Sequence, residues 1–276
     1  MRALIASSPT LDEIVLEHLR LKTNAPGGPG LFAGLALRRL GYEVCNVGYY
    51  GPDLVESVRT EESIGVKRVC CIGQEGLKIR HIYDPNGTRK TTIISKPRPL
   101  TLSDLDKSLK TCGPDLVIVS PNYDEVPLDL LMAFRSRWPV SLDAQGYFRS
   151  QQGEWLRRIP EGVVKLIHMS DDDGPMDVAR QLAKRFEAVL YTVGPGGAVI
   201  FSGGLATAIP SRGPRLDDRT GAGDVITALV SHYYLVARLP LEDAYEASLE
   251  LFPLIMEEAA RVRKRAFIGY PGPATR

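Results

Sequence analysis

The chain has 276 residues, of which 44% are hydrophobic and 24% charged, and its formal net charge is +1. That composition supports a sizeable core and excludes an intrinsically disordered chain. The near-neutral balance also excludes a protein that binds nucleic acid or acidic membrane through bulk charge. Cys45, Cys70, Cys71 and Cys112 form no CxxC pair, so they are read as reduced, mostly buried thiols. No apolar run is long enough to span a bilayer, and the N-terminal one meets Pro9 and Asp12 too early for a secretory leader. A cytoplasmic protein is the expectation.

Short apolar runs alternate with amphipathic stretches, the rhythm of a doubly wound α/β domain with a mainly parallel sheet flanked by helices. No shift in composition divides the chain, and one domain over 1–276 is expected. Residues 2–6 predict a first strand, and 30–40 a helix opened by a Gly/Pro turn and closed by Gly41. A strand at 44–47, a helix at 53–63 and a strand at 69–72 follow.

Residues 78–83 and 89–95 then alternate polar and apolar side chains around Asp84-Pro85-Asn86-Gly87. Asn-Gly favours a hairpin because both residues tolerate positive φ. Such a hairpin cannot be a crossover strand. It is either a plain edge hairpin or, with the exit of the first strand, a small β-lid with elements near 16–26 and 77–96. The lid reading also offers a surface through which two copies would form a homodimer. The α/β rhythm resumes with strands at 116–119, 140–142, 164–168 and 188–192, helices at 128–137 and 176–185, a hairpin arm at 198–201 and a long helix at 221–237.

Chemistry concentrates in Asp218-Arg219-Thr220-Gly221-Ala222-Gly223-Asp224, which opens the last of these helices. A Gly-Ala-Gly turn entering a helix presents backbone N–H groups and the positive end of the dipole, a site suited to phosphate oxygens. An Asp in the same first turn either accepts a proton from an attacking hydroxyl or simply complements the helix N-terminus. A second glycine-rich turn, Gly27-Gly28-Pro29-Gly30, leads into a small-residue helix containing Phe32, Ala33 and Gly34 and ending in Leu40-Gly41. No GxxxxGK[ST], HExxH or GxSxG motif is present, and the four histidines show no ligand spacing and are read as ordinary core or surface residues.

The string DRTGAGD before a long helix resembles the D-x-T-G-A-G-D signature of the PfkB, or ribokinase-like, carbohydrate kinases, and the resemblance runs from the first strand to the helix after Asp224. It implies that Asp224 is the catalytic base and that Gly221, Ala222 and Gly223 form an anion hole for the transferring phosphoryl group, with ATP or another nucleotide as donor and Mg2+ as cofactor. The Gly27–Gly41 stretch looks like the family's first signature, which places substrate against Gly28; Phe32 stands where ribokinases carry a substrate-binding Asn, a departure that argues against ribose. Asp12 stands where the family grips sugar hydroxyls, or else is an N-cap of a following helix. Thr192, Gly194 and Gly197 resemble the family's T-x-G-x-x-G turn along the donor, with Thr220 beside it. Ser170-Asp171-Asp172-Asp173 takes the place of the family's N-x-x-E motif, with Asp173 holding magnesium through water and Ser170 replacing the Asn.

Asp143-Ala144-Gln145-Gly146-Tyr147-Phe148-Arg149 resembles the branch that includes inositol kinases and archaeal and bacterial sugar kinases. Gln145 then binds the polyol and Arg149 meets a phosphate, or both only close a turn. The function implied is a nucleotide-dependent kinase acting on a small sugar or cyclic polyol. A nucleoside kinase of the same fold, with Phe32 against the base, and a non-catalytic ligand-binding regulator are the alternatives. No nucleic-acid or membrane partner is expected.

Overall fold

The computed structural model of the protein describes residues 1–16, 20–84, 89–135, 137–151, 155–211 and 219–268. Its elements, in chain order, are β1 (Arg2–Ala6), β2 (Thr10–Leu16), β3 (Leu21–Gly27), α1 (Pro29–Arg39), β4 (Glu43–Tyr50), α2 (Val55–Ser63), β5 (Val66–Ile72), β6 (Leu77–Tyr83), β7 (Arg89–Ser95), α3 (Leu102–Cys112) and β8 (Leu116–Val119). There follow β9 (Val140–Asp143), α4 (Gln145–Gln151), α5 (Trp155–Arg158), β10 (Val164–Ser170), α6 (Met176–Ala183), β11 (Ala188–Thr192), β12 (Ala198–Ser202), β13 (Leu205–Ile209), α7 (Ala222–Ser231) and α8 (Leu241–Ile268).

The main sheet has nine strands in the order β13-β12-β11-β10-β9-β8-β1-β4-β5. Pairing is parallel from β11 through to β5 and antiparallel for β12 and β13 at one edge. β1 shows why a parallel centre reads as a continuous apolar run. Its side chains alternate, so Ala3 and Ile5 enter the core layer beneath α1, α7 and α8, while Leu4 and Ala6 enter the layer beneath α3, α5 and α6. All four are 0% exposed. A second sheet, ordered β3-β2-β6-β7, stands apart from the first. The fold is therefore the expected doubly wound α/β arrangement with a small additional β-sheet. No helix among the described residues is long and apolar enough to cross a membrane.

Several details differ from the sequence expectations. The helix expected over 128–137 is not an α-helix over Leu128–Phe134. Leu128–Phe134 is a 3-10 helix, with Leu128, Leu131 and Phe134 buried at the spacing of three that suits that tighter spiral and Leu130 buried beside them. The helix expected over 221–237 ends as α7 at Ser231 and continues as a π turn, His232–Val236, closed by the Ala237 N–H on the His232 carbonyl. Asp12 caps no helix, because β2 continues from Thr10 through it to Leu16. Cys45 and Cys112 are buried free thiols as expected, and Cys70 and Cys71 are half-buried neighbours on β5. The hairpin turn expected at Pro85-Asn86-Gly87, and Asp218 of the DRTGAGD string, lie outside the described residues.

Candidate active site

The C-terminal ends of the central strands meet the first turn of α7, the edge at which open α/β sheets receive ligands. Gly221 is the N-cap of α7 with φ of 80°, a left-handed conformation that disfavours any residue with a Cβ. A Cβ there would also overlap the ring of Phe32, so the turn is fitted to its neighbour as well as to its own backbone. The Ala222 N–H is taken by the Arg219 carbonyl at 3.0 Å. The amides of Gly223 and Asp224, one step further on, belong to the helix turn that has no preceding intrahelical carbonyl to bind.

Asp224 is 6% exposed. Its Oδ1 accepts from Ser120 Oγ and from Gln145 Nε2, both at 3.2 Å. Burial, and then the negative charge of Asp143, push its carboxyl well above the usual carboxylate range, while Ser120 and Arg149 oppose the shift. A raised carboxyl is a better proton acceptor near neutral pH than an ordinary one.

Beneath it lies a second polar group. Asp143 ends β9 and is 2% exposed. Its Oδ1 accepts from the Gln145 N–H at 3.0 Å, which starts α4 and aims the Gln145 side chain back at Asp224. Its Oδ2 meets His168 Nδ1 at 2.9 Å and Thr227 Oγ1 at 3.0 Å. Burial acts to raise the Asp143 carboxyl, but the hydrogen bonds it accepts from His168, Gln145 and Thr227 hold it below the usual range.

On one side of Asp224 are the residues expected to meet an acceptor. Gly28 is the N-cap of α1 with φ of 94°, and a Cβ on it would come within 3.1 Å of the Ser8 carbonyl. Asp12, on β2, is 3% exposed and accepts from Thr10 Oγ1 at 2.8 Å and from Arg263 Nη2 at 3.5 Å. Arg263, from α8, also donates to the Pro26 carbonyl at 2.9 Å and lies 5.4 Å from the centre of the Phe32 ring. Phe32 is 2% exposed, packed between the Gly221 turn and Arg263.

On the other side are the residues expected to meet a donor. Thr192 ends β11 and bonds His168 Nε2 through its hydroxyl at 3.1 Å. The following turn closes through Val193 N–H to the Gly197 carbonyl at 2.8 Å, and Gly194 faces the Arg219 guanidinium next to Thr220 and Gly221. Asp173 is 7% exposed, and its Oδ2 accepts from the Ser170 N–H and hydroxyl at 2.9 and 2.8 Å. Burial and the charge of Asp143 raise its carboxyl, opposed by Arg149.

The structure thus brings together Asp224, Gln145, Asp12, Gly28 and Phe32 on one flank, and Thr192, Gly194, Gly197, Thr220 and Asp173 on the other. Sequence reading missed Ser120, His168, Thr227 and Arg263. His168, an ordinary histidine by its sequence, is 1% exposed and fully engaged. Arg263 carried a signal: it follows buried Met256 and Ala259 at helical spacing, so a cation sits on the apolar face of α8.

No protein-family model and no curated protein sequence matches the chain. Solved structures do. One is a sulfate complex of a pyrophosphate-dependent kinase in the ribokinase family, at 20% identity, covering 94% of this chain and 99% of its own, with a TM-score of 0.79. Another is a pyrophosphate-dependent kinase of that family complexed with a pyrophosphate analogue and myo-inositol, at 20% identity, 99% and 97% coverage and a TM-score of 0.78. A third is ribokinase from Cryptococcus neoformans in complex with ADP, at 18% identity, 96% and 99% coverage and a TM-score of 0.70. At these identities the likeness establishes a shared fold.

Proposed function

The chain has the ribokinase-like fold, and we propose that it is a kinase transferring a phosphoryl group from a nucleotide to a hydroxyl of a small sugar or cyclic polyol such as myo-inositol. The observation that carries the reading is Asp224, a buried carboxylate with a raised pKa in the first turn of a helix opened by Gly-Ala-Gly. Phosphoryl transfer asks little covalent chemistry of a protein and much positioning and charge stabilisation. Asp224 takes the proton of the attacking hydroxyl. Gln145 and Ser120 fix the carboxylate by bonding Oδ1, leaving Oδ2 for the acceptor. Amides of the first turn of α7 receive the charge that develops on the transferred group. Asp12 and Gln145 bind acceptor hydroxyls against the backbone at Gly28, and the second sheet, which carries Asp12, covers the acceptor from water.

The residues present suit a magnesium ion held indirectly. Asp173 and Asp224 are both raised by burial and by the charge of Asp143, a repulsion that a divalent cation relieves. Asp173 would act through water, as magnesium commonly allows. Bound there, magnesium would neutralise charge on the donor phosphates.

Of the solved structures named above, the one holding myo-inositol supports a polyol acceptor, and the donor list widens because two are pyrophosphate-dependent while the third holds ADP. A nucleoside acceptor would need an aromatic wall open to the base, and Phe32, at 2% exposure beneath Arg263, offers little. The test is a phosphate-transfer assay of sugars, inositols and nucleosides, each with ATP, ADP or pyrophosphate and magnesium, read by phosphorus NMR. Product with a polyol supports the proposal. Tight ligand binding with no product from any pair would favour the regulator, and product from nucleosides alone would favour the nucleoside kinase.

A further inference from the structure

His168 stands at the meeting point of the two flanks and has no part in the mechanism above. It lies near the end of β10, 1% exposed, with Asp143 and Leu190 as its in-register partners on the neighbouring strands. Both ring nitrogens are engaged. Nδ1 meets Asp143 Oδ2 at 2.9 Å and Thr227 Oγ1 at 2.8 Å, and Nε2 meets Thr192 Oγ1 at 3.1 Å. Its Cε1 lies 3.4 Å from the place a Cβ on Gly223 would occupy, so the ring also backs the turn that opens α7.

The proton inventory fixes the direction of these bonds. Asp143, its carboxyl held low, accepts only, so the ring carries its proton on Nδ1 and shares it between Asp143 Oδ2 and Thr227 Oγ1. The Thr227 hydroxyl in turn donates to Asp143 Oδ2 at 3.0 Å. In the neutral ring Nε2 is then an acceptor, and the Thr192 hydroxyl must donate inward to it. In the same network, Asp143 Oδ1 holds the Gln145 N–H and so the amide that bonds Asp224.

We propose that His168 is a positioning residue: one imidazole sets the Thr192 hydroxyl on the donor flank and the Asp143 carboxylate on the acceptor flank, so that both halves of the site are aligned through a single side chain. The proposal rests on the kinase reading given above. It assigns separate duties to the two nitrogens. The Nε2 arm governs donor binding through Thr192, and the Nδ1 arm governs the chemical step through Asp143, Gln145 and Asp224. The charged groups around this network are Asp143 on β9, Asp224 on α7, Arg149 on α4 and Asp173 after β10.

Substitution can separate the arms. His168→Asn returns an amide donor near the Nδ1 position, His168→Gln places an amide oxygen near Nε2 to accept from Thr192, and His168→Phe keeps the ring volume with neither. The Asn variant should retain kcat and raise donor KM by about tenfold, while the Gln variant should retain donor KM and lower kcat by about tenfold, each being the loss of one buried hydrogen bond. The acid limb of the kcat profile should move in the Gln and Phe variants and stay in place for Asn. Equal losses in all three, with donor KM and the limb unchanged, would mean a purely structural ring and would overturn the proposal.

Failure of the kinase reading is read separately. If the wild type transfers no phosphate, calorimetry with ADP and with pyrophosphate should still show the Asn variant, and not the Gln variant, binding about tenfold more weakly. Should neither compound bind the wild type, long-range 15N NMR decides, with the His168 signals identified by their loss in His168→Gln. Protonated Nδ1 with bare Nε2 supports the assignment, and the opposite tautomer sinks it.

Discussion

Gln145 Nε2 donates to Asp224 Oδ1 across 3.2 Å, tying the start of α4 to the first turn of α7 over 79 residues of sequence. The bond has a chemical consequence. With Ser120 also on Oδ1, the carboxylate is held from one oxygen, and its other oxygen is oriented for a proton transfer. Asp224→Asn keeps the shape and both donors' geometry while removing the acceptor of the proton. Turnover should fall by about 100-fold or more, at least ~2.7 kcal/mol of barrier, with donor binding nearly unchanged. A variant keeping more than about a tenth of the rate, under ~1.4 kcal/mol, would remove Asp224 from the role of base.

The same substitution should stabilise the protein. Asp224 has a folded-state pKa above its unfolded value, so ionising it disfavours the fold. The penalty is absent below the unfolded pKa, grows as pH rises toward the folded pKa and is constant beyond it. Asp224→Asn should therefore raise Tm at pH 8 and leave it little changed at pH 4. Equal Tm values at both pH values would show that the carboxyl is solvated, contrary to its 6% exposure.

Asp143 provides a pH test of catalysis. A base works only when ionised, so the acid limb of kcat should lie above the ordinary carboxylate range of about 4. After burial, the charge of Asp143 is the next contribution to that elevation, and Asp12 adds to it. Removing the charge in Asp143→Asn should move the limb to lower pH, even as the maximal rate drops through the disturbed network. A limb that stays in place or rises would mean that another group sets the profile.

The glycine-rich turns, Asp224 and the strand rhythm were legible because each is a local pattern: a helix N-terminus, a period of two, a turn residue. The Asp143–His168 pair was not. The two residues are joined by the register of β9 on β10, in which Asp143 faces His168, and register in a parallel pair is set by packing on both faces of the sheet. Arg263 and Asp12 are further beyond local reading, at 251 residues apart. The 3-10 helix at Leu128–Phe134 was misread because apolar spacing of three and of four look alike over seven residues.

Gly221 and Phe32 form a packing pair that a double-mutant cycle can resolve. Gly221→Ala must place a Cβ at φ of 80°, which costs about 1–2 kcal/mol for the left-handed backbone alone. The new methyl would also overlap the Phe32 ring. In a Phe32→Ala background the second penalty disappears and the first remains. Chemical denaturation should therefore give a smaller cost for Gly221→Ala in Phe32→Ala than in the wild type, a coupling of about 0.5–3 kcal/mol. Strict additivity would show that the turn moves away from Phe32 without cost.

The acceptor pocket is tested through Asp12, Gln145 and Arg263. A polyol buried there needs fixed partners, since each hydroxyl left unpaired costs about 1–3 kcal/mol. Asp12→Ala and Gln145→Ala should each raise acceptor KM by about tenfold or more while leaving donor KM near its wild-type value. Arg263→Met keeps much of the buried stem over Phe32 but removes the guanidinium that reaches Asp12 Oδ2 and the Pro26 carbonyl. Asp12 then loses its orienting cation, so acceptor KM should rise in this variant too, and Asp12→Ala added to it should cost little more. Full additivity of the two would mean that Arg263 acts on the acceptor independently of Asp12. Wild-type acceptor KM in both Asp12→Ala and Gln145→Ala would move the polyol to another part of the molecule.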